Sequence, residues 1–455
     1  MRLVSLLPLL AAAVWAASDS DTSSDSKTTL TNTNTKNILT LDGTITAPIS
    51  DAATRTGHYL SYTSTKTLPT NHGGMVGSTG LSGSESAVTT ATTGNATTHT
   101  TPTDSMTHLI GNNTSNATHT APASSSSPVV NTQPCNGYTE FCARNYSNIT
   151  MVAAHNSPFV KPGNVAANQA LDVEAQLNDG IRMLQFQTHI VNNTVKLCHT
   201  SCDLLDMGLL ETYLSTVARW MKSHPYDVVT ILIGNYDYAE PGNFTEPIRK
   251  SGLLDLAYTP PKIPMALHDW PTLSTMILSG KRAVLFMDYM ANQTAYPWLM
   301  DEFTQMWETP FSPTDRNFPC TVQRPPGLHP PDIRNRMYLA NHNLNLDLNF
   351  ANLNLLIPNT AQLNQTNAAE GFGSLGWMAS NCTRDHARPP NFLLVDYYNY
   401  GPVNGSVFQV AADMNNVTYN GKCCGTTSSG TSFAPHGMAM SVALIAGVQY
   451  LISMF

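Results

Sequence analysis

Between Cys135 and Cys424 the chain alternates short apolar runs with amphipathic stretches. The apolar runs are Ile149–Ala154, Ile181–Ile190, Val228–Ile233, Arg282–Met287, Met337–Ala340 and Phe392–Val395. Rich in Val, Ile, Leu and Phe and bounded by turn residues, they predict strands. Ala166–Leu177, Leu209–Met221 and Gly405–Asp413 carry apolar positions at helical spacing and predict helices. Nearly continuous apolar strands with helices between them indicate a parallel sheet covered on both faces. An α/β domain of about 290 residues with that alternation predicts a TIM-like (β/α) barrel, either complete or distorted and incomplete. His342–Leu356 (HNLNLDLNFANLNLL) alternates Asn with Leu, is too short for a solenoid, and predicts a strand leading into a loop.

The pattern changes completely outside this region. Residues 18–134 are dominated by Ser, Thr, Asn and Gly. Such a composition buries too little apolar surface to offset chain entropy, so a disordered, O-glycosylated stalk is expected, with Asn37–Ile49 the one strand-like stretch in it. Residues 1–17 (MRLVSLLPLLAAAVWAA) read as a secretory signal peptide. Residues 425–455 run from small residues through a short uncharged spacer to an apolar tail, the order of a GPI-anchor signal, which would hold the protein on a membrane surface.

Charge and cysteine use agree with export. The net charge is -8 with 12% charged residues, and no basic stripe is present, which excludes a nucleic-acid partner. All 8 cysteines lie between Cys135 and Cys424, an even number that predicts disulfides, with Cys135/Cys142 and Cys198/Cys202 close enough to pair locally. A zinc site in CHTSC has no second Cys/His pair of finger-like spacing to support it. Sequons at Asn145, Asn148, Asn192, Asn243, Asn292, Asn364 and Asn404 predict a glycosylated surface.

In (β/α) barrels the chemistry sits at the C-terminal ends of the strands. The ends here carry His155 and Asn156, Gln185 and Gln187, His199, Asn235 and Asp237, Asp288, Asn341–Asn343, and Asp396. Two imidazoles at one rim can divide the labour of phosphodiester cleavage, one removing a hydroxyl proton and the other protonating the leaving oxygen. Each alone is more simply a structural histidine. His189, His268 and His386 have no such context and are read as surface or structural, and Arg182 as an anchor of its strand.

Four motifs in order carry a resemblance: the strand ending in His155-Asn156-Ser157, QLNDGIRMLQFQ (176–187), His199 after a short strand, and SHPYDVVTILIGN (223–235), with NFLLVDYYNYG (391–401) near the end. Together they resemble the X domain of phosphatidylinositol-specific phospholipase C, in the form of the secreted PLC-like phosphodiesterases of fungi. The resemblance implies a TIM-like barrel in which His155 removes the inositol 2-hydroxyl proton, His199 protonates the diacylglycerol oxygen and Asp396 orients His155. Asn156, Gln185, Gln187 and Asn235 become supporting or substrate-binding residues. The departures are at the second strand. Bacterial members place Asp and Arg where Gln185 and Gln187 stand; calcium-dependent members place Glu and Asp there, with another Glu at Gly234 or Asn235. A divalent cation such as calcium would therefore have to rely on Asn156, Asp237, Asp288 or Asp396. Two classes follow. The first is a cell-surface phosphoric diester hydrolase acting on an inositol-phospholipid-like substrate. The alternative is a weakly active or inactive surface glycoprotein that uses the barrel for binding or wall structure.

Overall fold

A computed structural model describes residues 59–62, 64–68, 132–350, 353–421 and 423–424. The signal peptide, most of the stalk including Asn37–Ile49, and the anchor signal lie outside the described residues. Among those described, no helix is long and apolar enough to cross a membrane.

Eight parallel strands form the sheet: β1 Met151–Ala154, β2 Met183–Val191, β3 Val229–Asn235, β4 Ala283–Met287, β5 Leu299–Asp301, β6 Met306–Glu308, β7 Met337–Asn341 and β8 Phe392–Val395. Their order is β6-β7-β8-β1-β2-β3-β4-β5, so among the described residues β5 and β6 end the ladder without pairing. The barrel is open at that seam. All six runs read as strands are present, and the sequence patterning missed only β5 and β6.

The strands are apolar throughout because alternate side chains enter two different cores. Val152 and Ala154, Ile231 and Ile233, Leu285 and Met287, Leu393 and Val395 join Leu210, Leu214 and Val217 of the helical layer. Met151 and Ala153, Leu232, Val284 and Phe286, Leu339, Phe392 and Leu394 face the other way, onto a plug that includes Tyr146 and Trp270. The second set is the barrel interior, and its parity decides which residues reach the site.

The helices differ in detail from their sequence patterns. Helix α1 spans only Val173–Asp179 because Asp172 caps it, accepting from the Ala175 N–H at 2.9 Å. Helix α2, Leu210–Ser223, and helix α3, Ser406–Met414, fall where expected. The Asn/Leu stretch is a hairpin, Asn345–Phe350 paired antiparallel with Leu353–Pro358, which corrects the strand-and-loop expectation. Arg182 is an anchor: its guanidinium meets Asp227 at 2.9 Å and carbonyl oxygens of Leu177 and Ile181. Disulfides join Cys135–Cys142, Cys198–Cys202, Cys320–Cys382 and Cys423–Cys424. The sulfurs of CHTSC are thus bonded to each other rather than free as zinc ligands.

One part of the presumed stalk is folded. Lys66 and Thr67 pair antiparallel with Ile263 and Lys262, the Leu68 N–H donates to the Pro261 carbonyl at 2.8 Å, and Leu68 is buried. Tyr59 sets its ring edge-on to Phe303, centroids 4.8 Å apart, beside Tyr289 at 5.9 Å. Phe303 belongs to the helical turn between β5 and β6, so the Tyr59 ring packs beside the open seam. A Tyr59→Ala/Phe303→Leu double-mutant cycle in urea unfolding is expected to give a coupling of about 0.5–1.5 kcal/mol. Additive effects would show that the ring pair contributes no interaction energy.

Candidate active site

Interior parity brings polar groups from separate strands to the C-terminal mouth. His155 follows β1, Gln185 and Gln187 lie on β2, Asp288 follows β4, and Asp396 follows β8. His199 arrives from a side ribbon, Thr194–Cys198, which pairs antiparallel with the far end of β2. The Cys198–Cys202 bridge closes the loop that carries it.

His155 is held from two sides. Its Nδ1 lies 2.7 Å from Asp396 Oδ1, and Asn168 Nδ2 donates to the same oxygen at 2.9 Å. With the Nδ1 proton facing a carboxylate, the lone pair is left on Nε2, where the amides of Asn156 and Asn343 approach at 3.2 and 3.5 Å. Gln169 donates to the His155 carbonyl at 2.8 Å and to that of Val395 at 3.0 Å, tying the ends of β1 and β8 together. Asn168 and Gln169 were not singled out in the sequence, where they fall within the helix predicted over Ala166–Leu177; in the structure they lie in coil ahead of α1, which begins at Val173.

The two glutamines have a common role that the sequence did not suggest. Gln185 Oε1 accepts the Asn156 N–H at 2.8 Å, and Gln187 Oε1 accepts the Thr200 N–H at 3.0 Å. Asn156 and Thr200 each follow a site histidine, and each has a left-handed backbone, φ 49° and 59°. Non-glycine residues are uncommon there, and such conformations persist only when neighbouring structure holds them. Adjacent inward positions of one strand thus latch both histidine loops.

His199 lies edge-on to Phe159, centroids 5.2 Å apart, with the Thr200 hydroxyl 3.1 Å from its Nδ1. Burial, reinforced by His155 and His189, pushes its pKa down to about 3, so the unliganded imidazole is neutral at neutral pH. His155, Asn156, Gln187, His199 and Thr200 line one cavity, walled by Phe311 and by Leu355 and Leu356 of the hairpin. A second cavity shares Gln187 and Phe311 with it and reaches into the barrel past Gln185, Asp288, Glu302, Glu308, Arg324 and Asn341.

The remaining expected residues lie elsewhere. Asn235 has outward parity; its amide donates to the Ala239 and Tyr289 carbonyls and accepts the Ala239 N–H, so it shapes the loop after β3. Asp237 binds His189 at 2.9 Å and the Ile190 N–H at 2.7 Å, away from the two cavities. His386 is structural, bonded to the Cys320 carbonyl and packed on Trp307 and Tyr338, whereas His268 is exposed.

The family model for the PI-PLC X domain matches residues 141–415. The chain belongs to the PI-PLC X family. It is 63% identical over 343 residues to an uncharacterized secreted protein of Arthroderma benhamiae, covering 73% of this chain and 77% of that one. It is 43% identical over 272 residues to PI-PLC X domain-containing protein 1 of the same fungus, covering 59% of this chain and 86% of that protein. Among solved structures it is similar to phosphatidylinositol-specific phospholipase C from Listeria monocytogenes, at 13% identity and a TM-score of 0.40, covering 60% of this chain and 95% of that one.

Within this PI-PLC X domain the residues do not fit calcium at the mouth of β2 and β3. A Cβ at Gly234 would come within 2.9 Å of the Phe186 carbonyl oxygen, leaving no room for a ligating side chain. The Gln185 and Gln187 carbonyl oxygens already accept backbone N–H groups. Asp396 Oδ1 is shared by His155 and Asn168, and its Oδ2, the one carboxylate oxygen left without a partner beside the histidines among the described residues, has only the amide oxygens of neighbouring asparagines for company. Calcium needs six to eight oxygen ligands, several of them carboxylate.

Proposed function

We propose that this PI-PLC X protein is a phosphoric diester hydrolase of the phospholipase C type, acting outside the cell on a phosphodiester whose headgroup carries a neighbouring hydroxyl, as an inositol phospholipid does. The observation that carries this reading is the Asp396–His155 pair, 2.7 Å apart, in a cavity also lined by His199. His155 Nε2 takes the proton of the attacking hydroxyl, its oxygen bonds to phosphorus, and the P–O bond to the lipid alcohol breaks as His199 protonates the leaving oxygen. Water then opens the cyclic phosphodiester with the two roles reversed. His199 must hold a proton to start this cycle, and an anionic phosphate beside it raises a pKa that burial has pushed down. The amides of Asn156 and Asn343 are placed to donate to that phosphate, as neutral donors rather than as cations.

A place on the outer cell surface is supported by the signal-peptide and anchor-signal patterns of the sequence, and the sequon asparagines Asn148, Asn192, Asn243, Asn292, Asn364 and Asn404 are all exposed. A second reading, binding without appreciable turnover, is favoured by one observation: among the described residues no Lys or Arg lines the cavity that holds the two histidines. Release of diacylglycerol from phosphatidylinositol vesicles by the purified protein separates the two. Turnover is expected, unchanged by calcium or chelator. Vesicle binding without release would establish the second reading, and dependence on calcium would overturn the donor set described here.

A further inference from the structure

The exposed sequons are unevenly placed on the barrel. Among the described residues, five of them lie on connections that leave the C-terminal end of a strand, the end that carries the histidines. Asn192 follows β2 at the turn into the side ribbon, Asn243 opens the helix Gly242–Lys250 that comes after β3, and Asn292 lies in the loop beyond β4. Asn364 comes just after the hairpin that follows β7, and Asn404 lies between β8 and α3. Two more, Asn148 ahead of β1 and Asn416 after α3, lie at the opposite end, where Asn415 and the Thr150 backbone bond to each other. The other two sequon asparagines, Asn145 and Asn381, are half-buried.

This placement bears on what can reach the site. His155 and His199 are each only 6% exposed, so a phosphodiester packed in a bilayer meets them only if the rim presses against the headgroup layer. Such contact is driven by burying apolar area in the interface. An N-linked glycan is bulky and hydrated, and taking its hydroxyls out of water without new partners is costly. Val403, an apolar side chain at the rim that is 65% exposed, directly precedes Asn404, so a glycan there opposes its burial in lipid. We propose that the five rim sequons carry a collar of N-glycans that holds the mouth off a bilayer and directs the site to phosphodiesters that are not packed in one. The inference rests on the phosphodiesterase reading for the reaction at the histidines, and the collar slows attack on a bilayer without abolishing it.

A chain stopped after Cys424 keeps every described residue and is secreted from yeast without an anchor. Mass spectrometry of its peptides is expected to find the five rim asparagines occupied; bare asparagines there would overturn the proposal. Endoglycosidase H then trims the folded protein, leaving one sugar at each asparagine and adding no charge. Flotation with vesicles of phosphatidylcholine and phosphatidylinositol reads bilayer contact independently of catalysis. Trimming is expected to raise vesicle binding about tenfold, and vesicle turnover with it, while turnover of a dispersed short-chain phosphatidylinositol changes less than about twofold. Asn→Gln at the five rim sequons together is expected to reproduce the gain, and Asn148→Gln/Asn416→Gln is expected to leave vesicle binding unchanged. Vesicle binding indifferent to trimming would overturn the proposal, as would an equal gain from the far-end pair. If the rim variant is not secreted, trimming of the folded wild type decides. Vesicle binding that rises on trimming, with no turnover of either lipid, upholds the collar and fails the phosphodiesterase reading.

Discussion

His155→Ala is expected to lower kcat/KM on phosphatidylinositol by about 10³–10⁴-fold, and Asp396→Asn by about 10²–10⁴-fold, with little change in the melting temperature of either. The reason lies in the tautomer. Asp396 Oδ1 accepts the Nδ1 proton at 2.7 Å and leaves the lone pair on Nε2, toward the cavity. An amide at position 396 can present NH₂ instead of an acceptor, which favours the tautomer with its proton on Nε2, useless as a base. Asn168 sharpens the effect, because it already donates to that same oxygen at 2.9 Å, and an asparagine at 396 would have to satisfy two donors with one carbonyl. His199→Ala has a different signature. A general acid matters in proportion to the basicity of the leaving oxygen, so its loss is expected to be severe on the lipid alkoxide and slight on a p-nitrophenyl ester of the same headgroup phosphate. His155→Ala should be equally poor on both. A His199→Ala loss that is the same for both leaving groups would remove His199 from the role of acid.

Much of the candidate site was legible because six of the strands were, and the polar residues at their ends include those that share the interior parity: His155 after Ala153, Gln185 and Gln187 after Met183, Asp288 after Phe286, Asp396 after Leu394. Asn235 shows the rule from the other side. It sits one position past Gly234, so it points out of the interior, and a motif match cannot register that difference. Glu302 and Glu308 were invisible because β5 and β6 are three residues each, separated by a single helical turn, too short for any period to show. Asn168 and Arg324 come from coil, where position is set by tertiary contacts and not by spacing. The folded residues 59–62 and 64–68 were hidden by composition: a few aromatic and apolar residues in a long polar tract show no period, and what places them is tertiary, the pairing of Lys66 and Thr67 with Ile263 and Lys262 and the contact of Tyr59 with Phe303.

The residue most hidden in the sequence should have the largest effect on stability. Arg324→Met is expected to destabilise the fold by about 3–5 kcal/mol at pH 7.5, because Asp288, Glu302 and Glu308 would lose the one cation that lines their cavity among the described residues. The cost should depend on pH in a defined direction. Burial already raises Asp288 from 3.8 to about 6 and lifts Glu302 well above its ordinary value, and Arg324 opposes both shifts. A carboxyl whose folded pKa is raised binds its proton more tightly folded than unfolded. Its contribution is therefore fully present below the unfolded pKa near 4 and is lost as pH rises through the folded value. Removing Arg324 raises the folded values further, so the penalty should be small at pH 4.5 and grow steadily to pH 7.5. Urea unfolding of wild type and Arg324→Met at both pH values measures this. Methionine keeps much of the packing against Phe303, Phe311 and Tyr289, which isolates the charge. An equal loss at the two pH values would mean that Arg324 stabilises the barrel through its contacts with those rings and not by compensating the carboxylates.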